Sequence, residues 1–300
     1  MMIENGTYLL QCKNTNTRAL LFTILTKKEN LDFFNNIFPH EEIEISDDFY
    51  KLEKNIQSKN KLDNPLYIAS IENYLGANLL IDNEKLNKPL ASIDSKVYGK
   101  QEIYRIDLEG IDIVDSPNIL LDGHHRYRIL RDNFFNKNED NESMPIPCLI
   151  VDFDNVKVED HYFYTDPRFK DSIVELIEAD FLITEDSEKY DLSSIFKNKK
   201  TFYKSHKDMS WEQRFEFRKK LVSSFPVSTK NSYGNEQGSI FSFPSVETIE
   251  SDMKQDNFFL SIRSVEKEQI QLVEEGVIFP RKSTWITPKF NPALYQGLLT

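Results

Sequence analysis

Cysteine is nearly absent from this chain of 300 residues: Cys12 and Cys148 are the only two, far apart and outside any C-x-x-C pair. That excludes a disulfide scaffold, argues against a zinc site and suits a reducing compartment, so the cytoplasm is the expected location. Long apolar runs are missing too. The longest, Ala19 to Leu25, is far short of the roughly 20 residues a membrane-spanning helix needs, and Met1-Met2-Ile3-Glu4-Asn5 has no basic stretch leading into an apolar one. Neither membrane insertion nor classical export is expected. Basic charge is in deficit, with 37 Lys and Arg against 49 Asp and Glu and a formal net charge of -12. Nucleic-acid phosphates are repelled by such a field unless a strong local patch overrides it. The clusters Lys197 to Lys200 and Arg218 to Lys220 are short and typical of solvated faces, and no helix-turn-helix pattern is present. Also missing are a P-loop, G-x-G-x-x-G, H-E-x-x-H, an EF-hand loop and a G-x-S-x-G elbow, which removes the commonest nucleotide, metal and hydrolase readings. Glycine is scarce at nine residues while phenylalanine reaches 22, a bias that fills cores without reporting on chemistry.

What is present suffices for a globular fold: 39% of residues are apolar and 29% charged. Thr7 to Cys12 and Arg18 to Thr26 are β-branched, apolar segments separated by polar residues, which predicts a hairpin. A short helix is expected at Glu29 to Ile37. In Asp47 to Ser58 the residues Phe49, Leu52 and Ile56 share one helical face, and Pro65 to Ala69 follows as a buried strand. Residues 72–117 form an insertion with strands expected at Leu79 to Ile81 and Glu102 to Ile106, divided by a polar stretch containing Pro89 and Gly99. Asn118 to Leu121 is a compact strand that passes through Asp122-Gly123 into a helix carrying Tyr127, Leu130 and Phe134 on one face. A solvated loop from Asn136 to Ser143 precedes a strand from Ile146 to Phe153. Beyond Thr165-Asp166-Pro167 the pattern restarts. Helices are expected at Phe169 to Leu182, Ser210 to Phe225 and Val265 to Glu275, with a polar loop from Ser228 to Gly238, a strand from Phe258 to Ser264 and a terminal segment from Val277 to Thr287. The expectation is an α+β (mixed α/β) protein with two domains, residues 1–165 and 166–300.

The residues that stand out chemically are Asp122-Gly123-His124-His125-Arg126-Tyr127 at the strand-to-helix turn. Glycine permits a tight turn, and the first N–H groups of a helix, beside its partial positive charge, favour an anion. His124, His125 and Arg126 add donors, and Arg can grip two phosphate oxygens at once, while a carboxylate such as Asp122 can hold a divalent cation or a substrate hydroxyl. The competing reading makes Asp122 a helix cap and the histidines polar helix-start residues. Two adjacent His and an Arg, in a chain with five His in all, favour the functional one.

The segment Ile119-Leu120-Leu121-Asp122-Gly123-His124-His125-Arg126-Tyr127 resembles the signature of the ParB/sulfiredoxin-like fold, in particular its free serine kinase branch, which phosphorylates L-serine to O-phosphoserine. Pro39-His40-Glu41, followed by the helix from Asp47 and the strand from Pro65, is similar to that branch's His-Glu block. Gly276 to Thr284, with Arg281-Lys282-Ser283-Thr284, and then Phe290-Asn291-Pro292 resemble its closing block. Val156-Lys157-Val158 with Tyr162 resembles a weaker one.

The resemblance implies a ParB/sulfiredoxin-like N-terminal domain that binds nucleotide, and a second α+β domain that returns the Lys-Ser-Thr segment to the site. It implies ATP or ADP as donor with Mg2+. Glu41 would be the carboxylate that orients or deprotonates the acceptor hydroxyl, and Asp122 a metal ligand or assistant to that base. Gly123, His124, His125, Arg126 and Lys282 would cradle phosphate, with His40, Tyr162, Ser283 and Thr284 on the substrate side. Glu41 beside Glu42 also has an ordinary reading as a solvated acidic pair, and Lys282 as a surface lysine. Trp285-Ile286 stands where that branch has Arg-His beside the substrate, which leaves the acceptor open between L-serine and another small hydroxylated metabolite. Arg281 or Lys289 would then supply the missing cation. Two other functions sit on the same fold type: a ParB-like nucleic-acid-binding protein, nuclease or nucleotide-dependent clamp, and a nucleotide-binding regulator without turnover. Charge composition disfavours the first of these.

Overall fold

The structure is a computed structural model that describes residues 3–43, 45–72, 86, 88–95, 98–106, 117–135, 143–165, 167–197, 199–224, 258–280 and 283–298. Two compact units divide the chain, and they are not consecutive halves. The first comprises residues 1–157, 268–281 and 288–300, and the second residues 158–267 and 282–287.

The first unit is built on an eight-stranded mixed sheet. In chain order its strands are β1 (Ile3–Cys12), β2 (Thr17–Leu25), β3 (Ile37–Pro39), β4 (Leu66–Ser70), β5 (Ala91–Ser95), β6 (Gly99–Ile106), β7 (Asn118–Asp122) and β8 (Pro145–Asp152). They lie in the order β3-β7-β4-β8-β2-β1-β6-β5. β1 and β2 are the expected antiparallel hairpin, with Cys12 opposite Thr17. Two parallel contacts, β3 with β7 and β4 with β8, lie among antiparallel ones.

Alternation along the strands sorts the side chains. Leu20, Phe22 and Ile24 of β2 and Ile146, Cys148 and Ile150 of β8 share one core with Leu66 and Ile68 of β4. The helices α1 (Leu31–Asn35), α2 (Asp47–Lys59) and α3 (His124–Leu130) add Phe33, Phe34, Phe49, Ile56, Tyr127 and Leu130 to it. A π-helical turn, Arg131–Phe135, continues α3. Its Phe135 stacks on Phe34 with ring centroids 4.5 Å apart, and the Tyr127 hydroxyl donates to the Phe34 carbonyl at 2.9 Å. Leu10, Leu21 and Val151, at intervening positions, are buried as well, so the central strands are covered on both sides. Both cysteines are buried free thiols.

The second unit holds a five-stranded antiparallel sheet in the order β10-β14-β12-β13-β11, made from β10 (His161–Thr165), β11 (Phe181–Thr184), β12 (Leu192–Phe196), β13 (Lys199–Ser205) and β14 (Phe258–Ile262). Its helices are α4 (Lys170–Asp180) and α5 (Trp211–Ser224); the short α6 (Lys267–Ile270) starts at its last residue before the border, and the rest of it, with the 3-10 turn Gln271–Glu275, belongs to the first unit. A two-stranded sheet joins β9 (Lys157–Glu159) and β15 (Trp285–Thr287). Mixed α and β elements in both units make this an α+β protein.

Several elements depart from the sequence expectation. The helix expected to reach Ile37 ends at Asn35, and Ile37-Phe38-Pro39 becomes an edge strand because it finds β7 as a parallel partner. The helix expected to reach Leu182 ends at Asp180, and Phe181 onward pairs with β13. Within 72–117 the expected strand at 102–106 is present as part of β6, while Ala91–Ser95 adds a hairpin partner that its polar sequence conceals. The strand expected at Leu79 to Ile81 and most of the loops expected at 136–143 and 228–238 lie outside the described residues.

Phe34 is fully buried and touches both Phe33 and Phe135. Phe34→Ala is expected to destabilise the protein by about 3–5 kcal/mol, read as a lower denaturant midpoint at unchanged slope.

Candidate functional site

The site grows from the parallel pair β3 and β7. Their register sets Ile37 against Asn118, Phe38 against Ile119 and Pro39 against Leu120. Carried past the end of β3, the same register brings His40-Glu41 alongside Leu121-Asp122, at the carboxyl ends of two parallel strands. That is where open α/β sheets place their ligands. A second pairing fixes the exit of β3: Phe279 N–H donates to the His40 carbonyl at 2.9 Å, and Glu42 N–H donates to the Phe279 carbonyl at 2.8 Å. Phe279 itself is fully buried.

The His40 ring is buried, and its Nδ1 lies 2.6 Å from the Leu120 carbonyl. A carbonyl only accepts, so Nδ1 carries the hydrogen. His124 Nε2 is 3.2 Å from that same nitrogen, and the two rings meet edge to face with centroids 4.8 Å apart. Burial, joined by the neighbouring His40, pushes the His124 pKa down to about 3, against the opposing pull of Glu41 and Asp122. A neutral His124 offers a lone pair at Nε2, which agrees with its place opposite the Nδ1–H of His40. On the far side of His40, Nε2 lies 3.8 Å from Glu41 Oε1, and the Glu41 side chain is largely but not wholly covered. His125 turns the other way, its ring edge to face with Phe49 of α2 at 5.8 Å.

Between β7 and α3 stands Gly123, at φ 96° and ψ 21°. This left-handed conformation favours glycine, and a side chain would also press on the Arg126 guanidinium. A Cβ here would fall 2.8 Å from Arg126 Nη2, 3.0 Å from Arg126 Nε and 3.2 Å from Leu66 Cδ2. Asp122 makes no side-chain cap to the helix. Its Oδ1 instead accepts from the Gly123 N–H at 2.7 Å. Gly123 holds the cap position, and the half-exposed Asp122 carboxylate stays directed at the turn. Partial desolvation works to raise its pKa, but Lys289 at 3.5 Å, Arg126 at 3.9 Å and His124 outweigh it and hold it below the ordinary carboxylate range.

A cavity of about 200 Å³ opens beside these groups, with Asp122, Arg126 and Lys289 on its polar side and Tyr67, Phe290 and Tyr295 among its rings. The segment carrying Lys289 and Phe290 is tied to the sheet of the same unit. Gln101, fully buried, donates to the Lys289 carbonyl at 2.8 Å and accepts from Asn291 N–H at 2.9 Å, and Tyr67 hydroxyl donates to the Pro288 carbonyl at 2.8 Å. Asn291 also caps the turn Pro292–Leu294.

Of the candidates read from the sequence, the first unit brings together His40, Glu41, Asp122, Gly123, His124 and Arg126, with His125 one step away on the α2 side. Tyr162 belongs to the second unit, where it is buried with its hydroxyl 3.4 Å from Ser193 Oγ and its pKa raised by burial. Ser283 and Thr284 are buried residues of the same unit. Lys282 and Arg281 lie outside the described residues. Sequence reasoning did not single out Asn64, Tyr67, Tyr98, Gln101 or Tyr295. Gln101 sits mid-strand and carries no signal of its own, whereas Tyr67, next to Pro65 in the strand leading toward the turn, was open to notice.

Neither a family model nor a curated protein sequence matches the chain. Among solved structures it is similar to free serine kinase in complex with AMP, at TM-score 0.46 and 16% identity over 90% of this chain and 88% of that one. A mutant of free serine kinase in complex with ADP gives TM-score 0.47 and 15% identity over 90% and 89%. SbnI with C-terminal truncation from Staphylococcus aureus gives TM-score 0.42 and 11% identity over 89% and 82%. At identities this low the chemistry of the site has to come from its own geometry.

Two outcomes are expected from that geometry. Gly123→Ala is expected to cost about 1–3 kcal/mol in backbone strain and to displace Arg126, measured as reduced stability in urea. His124, neutral in the folded protein, has a pKa below its ordinary 6.5, so on acidification the unfolded state takes up the proton first. Stability is therefore fully present above about pH 6.5 and declines as pH falls toward about 3. The loss in urea midpoint between pH 7 and pH 5 is expected to be smaller in His124→Asn than in the wild type.

Proposed function

We propose that the protein is a small-molecule kinase that transfers a phosphoryl group from ATP or ADP to the hydroxyl of free L-serine or a similar small metabolite. The observation that carries this reading is the meeting, at the carboxyl ends of β3 and β7, of the Glu41 carboxylate with the Asp122-Gly123-His124-His125-Arg126 turn. Phosphoryl transfer asks for little covalent help from a protein: donors around the phosphates, charge neutralisation, and a carboxylate at the acceptor hydroxyl. Arg126 and the N–H groups of the turn supply donors, and the glycine lets a phosphate approach the backbone closely. In the transfer the acceptor oxygen forms its bond to the terminal phosphorus as the bond to the leaving phosphate breaks, and the hydroxyl proton passes to Glu41. His40, placed through Nδ1 by the Leu120 carbonyl, sits with its Nε2 3.8 Å from Glu41 Oε1 and so packs its ring beside that carboxylate.

Among the described residues no three His, Cys, Asp or Glu side chains converge into a metal-binding group. Mg2+ commonly takes one or two carboxylates and completes its shell with phosphate and water, so the ionised, half-exposed Asp122 fits as its protein ligand. Bound there, the ion would neutralise phosphate charge. Lys282 on the phosphate side, and Tyr162, Ser283 and Thr284 on the substrate side, keep in this proposal the roles that the sequence resemblance implies. Lys289 pairs with Asp122, which makes it a phosphate-side or metal-side cation rather than a clamp for an amino-acid carboxylate.

The test is mass spectrometry of a reaction containing the protein, ATP or ADP, Mg2+ and a pool of hydroxylated metabolites including L-serine. A phosphorylated alcohol is expected, and its absence with either donor would sink the proposal. Glu41→Gln is expected to keep nucleotide affinity within about twofold and to lower turnover on the order of 10²–10⁴-fold, measured by steady-state kinetics and calorimetry.

A further inference from the structure

Lys289 is held beside Asp122 by a residue that lies outside every group assigned to the reaction. Gln101 stands on β6, where its backbone is paired on both sides, with Cys12 of β1 and Ile93 of β5. Its side chain is fully buried. Nε2 donates to the Tyr98 carbonyl at 3.1 Å and to the Lys289 carbonyl at 2.8 Å, while Oε1 accepts from Asn291 N–H at 2.9 Å. Both amide hydrogens and the oxygen are engaged. Residues 288–291 belong to no helix or strand, so side chains replace a sheet ladder in fixing their backbone. A buried amide that lost these partners would be left unsatisfied, which binds the segment to one arrangement.

We propose that Gln101 is a positioning residue: it pins the backbone at Lys289 and so keeps that side chain on Asp122, where its charge lets the Gly123 turn accept phosphate. Lys289 Nζ stands 3.5 Å from Asp122 Oδ2, and Arg126 Nη2 stands 3.9 Å from Oδ1. With Lys289 in place two cations answer the carboxylates of Asp122 and Glu41. With Lys289 withdrawn, two carboxylates face one cation and an arriving anion meets net repulsion. Gln101 lies within residues 72–117, the stretch whose sequence reads as an insertion, so the inference gives that insertion a part in the site. It rests on the reading of the Gly123 turn as a phosphate site and adds the residue that sets the charge there.

Two measurements on the full chain test it. Trypsin cuts after lysine, so cleavage of the Lys289–Phe290 bond, followed by mass spectrometry, reads the docking of the segment without any ligand. It is expected to be about tenfold faster in Gln101→Met than in the wild type, with circular dichroism confirming the fold. Calorimetry with metal-free tripolyphosphate reads the charge. Lys289→Met and Gln101→Met are each expected to weaken binding about tenfold, and the double variant to bind no more weakly than Lys289→Met, because Gln101 acts through Lys289. A merely structural role would add its own loss to that of Lys289→Met. Should Gln101→Met not fold, Gln101→Asn, whose amide stops one methylene short of the same partners, replaces it with the same outcomes expected. Unchanged cleavage, unchanged tripolyphosphate affinity in the Gln101 variant, or additive losses overturn the proposal. A wild type that binds no tripolyphosphate removes the phosphate reading of the turn, and cleavage then decides alone whether Gln101 holds Lys289.

Discussion

Three residue pairs of parallel sheet, Ile37 with Asn118, Phe38 with Ile119 and Pro39 with Leu120, hold the rest of the candidate site in place. Without them His40 loses the Leu120 carbonyl, and Glu41 is no longer kept beside the turn at Gly123. Because β3 is so short and lies at the sheet edge, pairing alone does not fix it. The buried Phe279 clamps its exit from the other side with two backbone hydrogen bonds. Glu41 thus rides on a backbone held by two partners, which suits a group that must stay within hydrogen-bond reach of a reacting hydroxyl.

The electrostatics of the site run against those of the chain. A protein of net charge -12 concentrates Arg126 and Lys289 around a single carboxylate, Asp122, and keeps His124 neutral. With Glu41 as the second carboxylate the charges of the site balance, so it is far less acidic than the chain as a whole, whose global field repels polyanions at long range. That combination admits a small phosphate compound at close quarters and disfavours a nucleic acid, whose many phosphates would meet the acidic remainder of the surface.

The elements legible in the sequence were those whose pattern is local. The hairpin β1–β2, the helix α2 and the strand-turn-helix around Gly123 announce themselves through alternation, helical spacing and a Gly in a two-residue turn. Ile37-Phe38-Pro39 did not, because three residues carry no period and what makes them a strand is a partner some eighty residues away. Phe181 and Leu182 continue the helical spacing of α4, and only pairing with β13 turns them into strand. Lys199 to Ser205 reads as polar because that strand's side chains are mostly half-buried or exposed. The turn Asp122 to Arg126 stood out by composition, and His40-Glu41 only through the family resemblance. The cavity was invisible, since Asn64, Tyr98 and Gln101 acquire meaning only once residues 288–295 are laid beside them.

That last placement bears on how the protein reaches its working state. The bonds that lay residues 288–291 against the sheet span sequence separations of 221 from Tyr67 and of 188 and 190 from Gln101. Closing loops of that length is slow compared with forming hairpins and helices, so the sheet of the first unit can exist before its cavity does. On the ribosome, the strands from β1 to β8 emerge well ahead of the segment that walls the cavity. A nascent chain therefore carries Glu41 and the Gly123 turn with no enclosure around them, and ligand occupancy becomes a report on completion of folding.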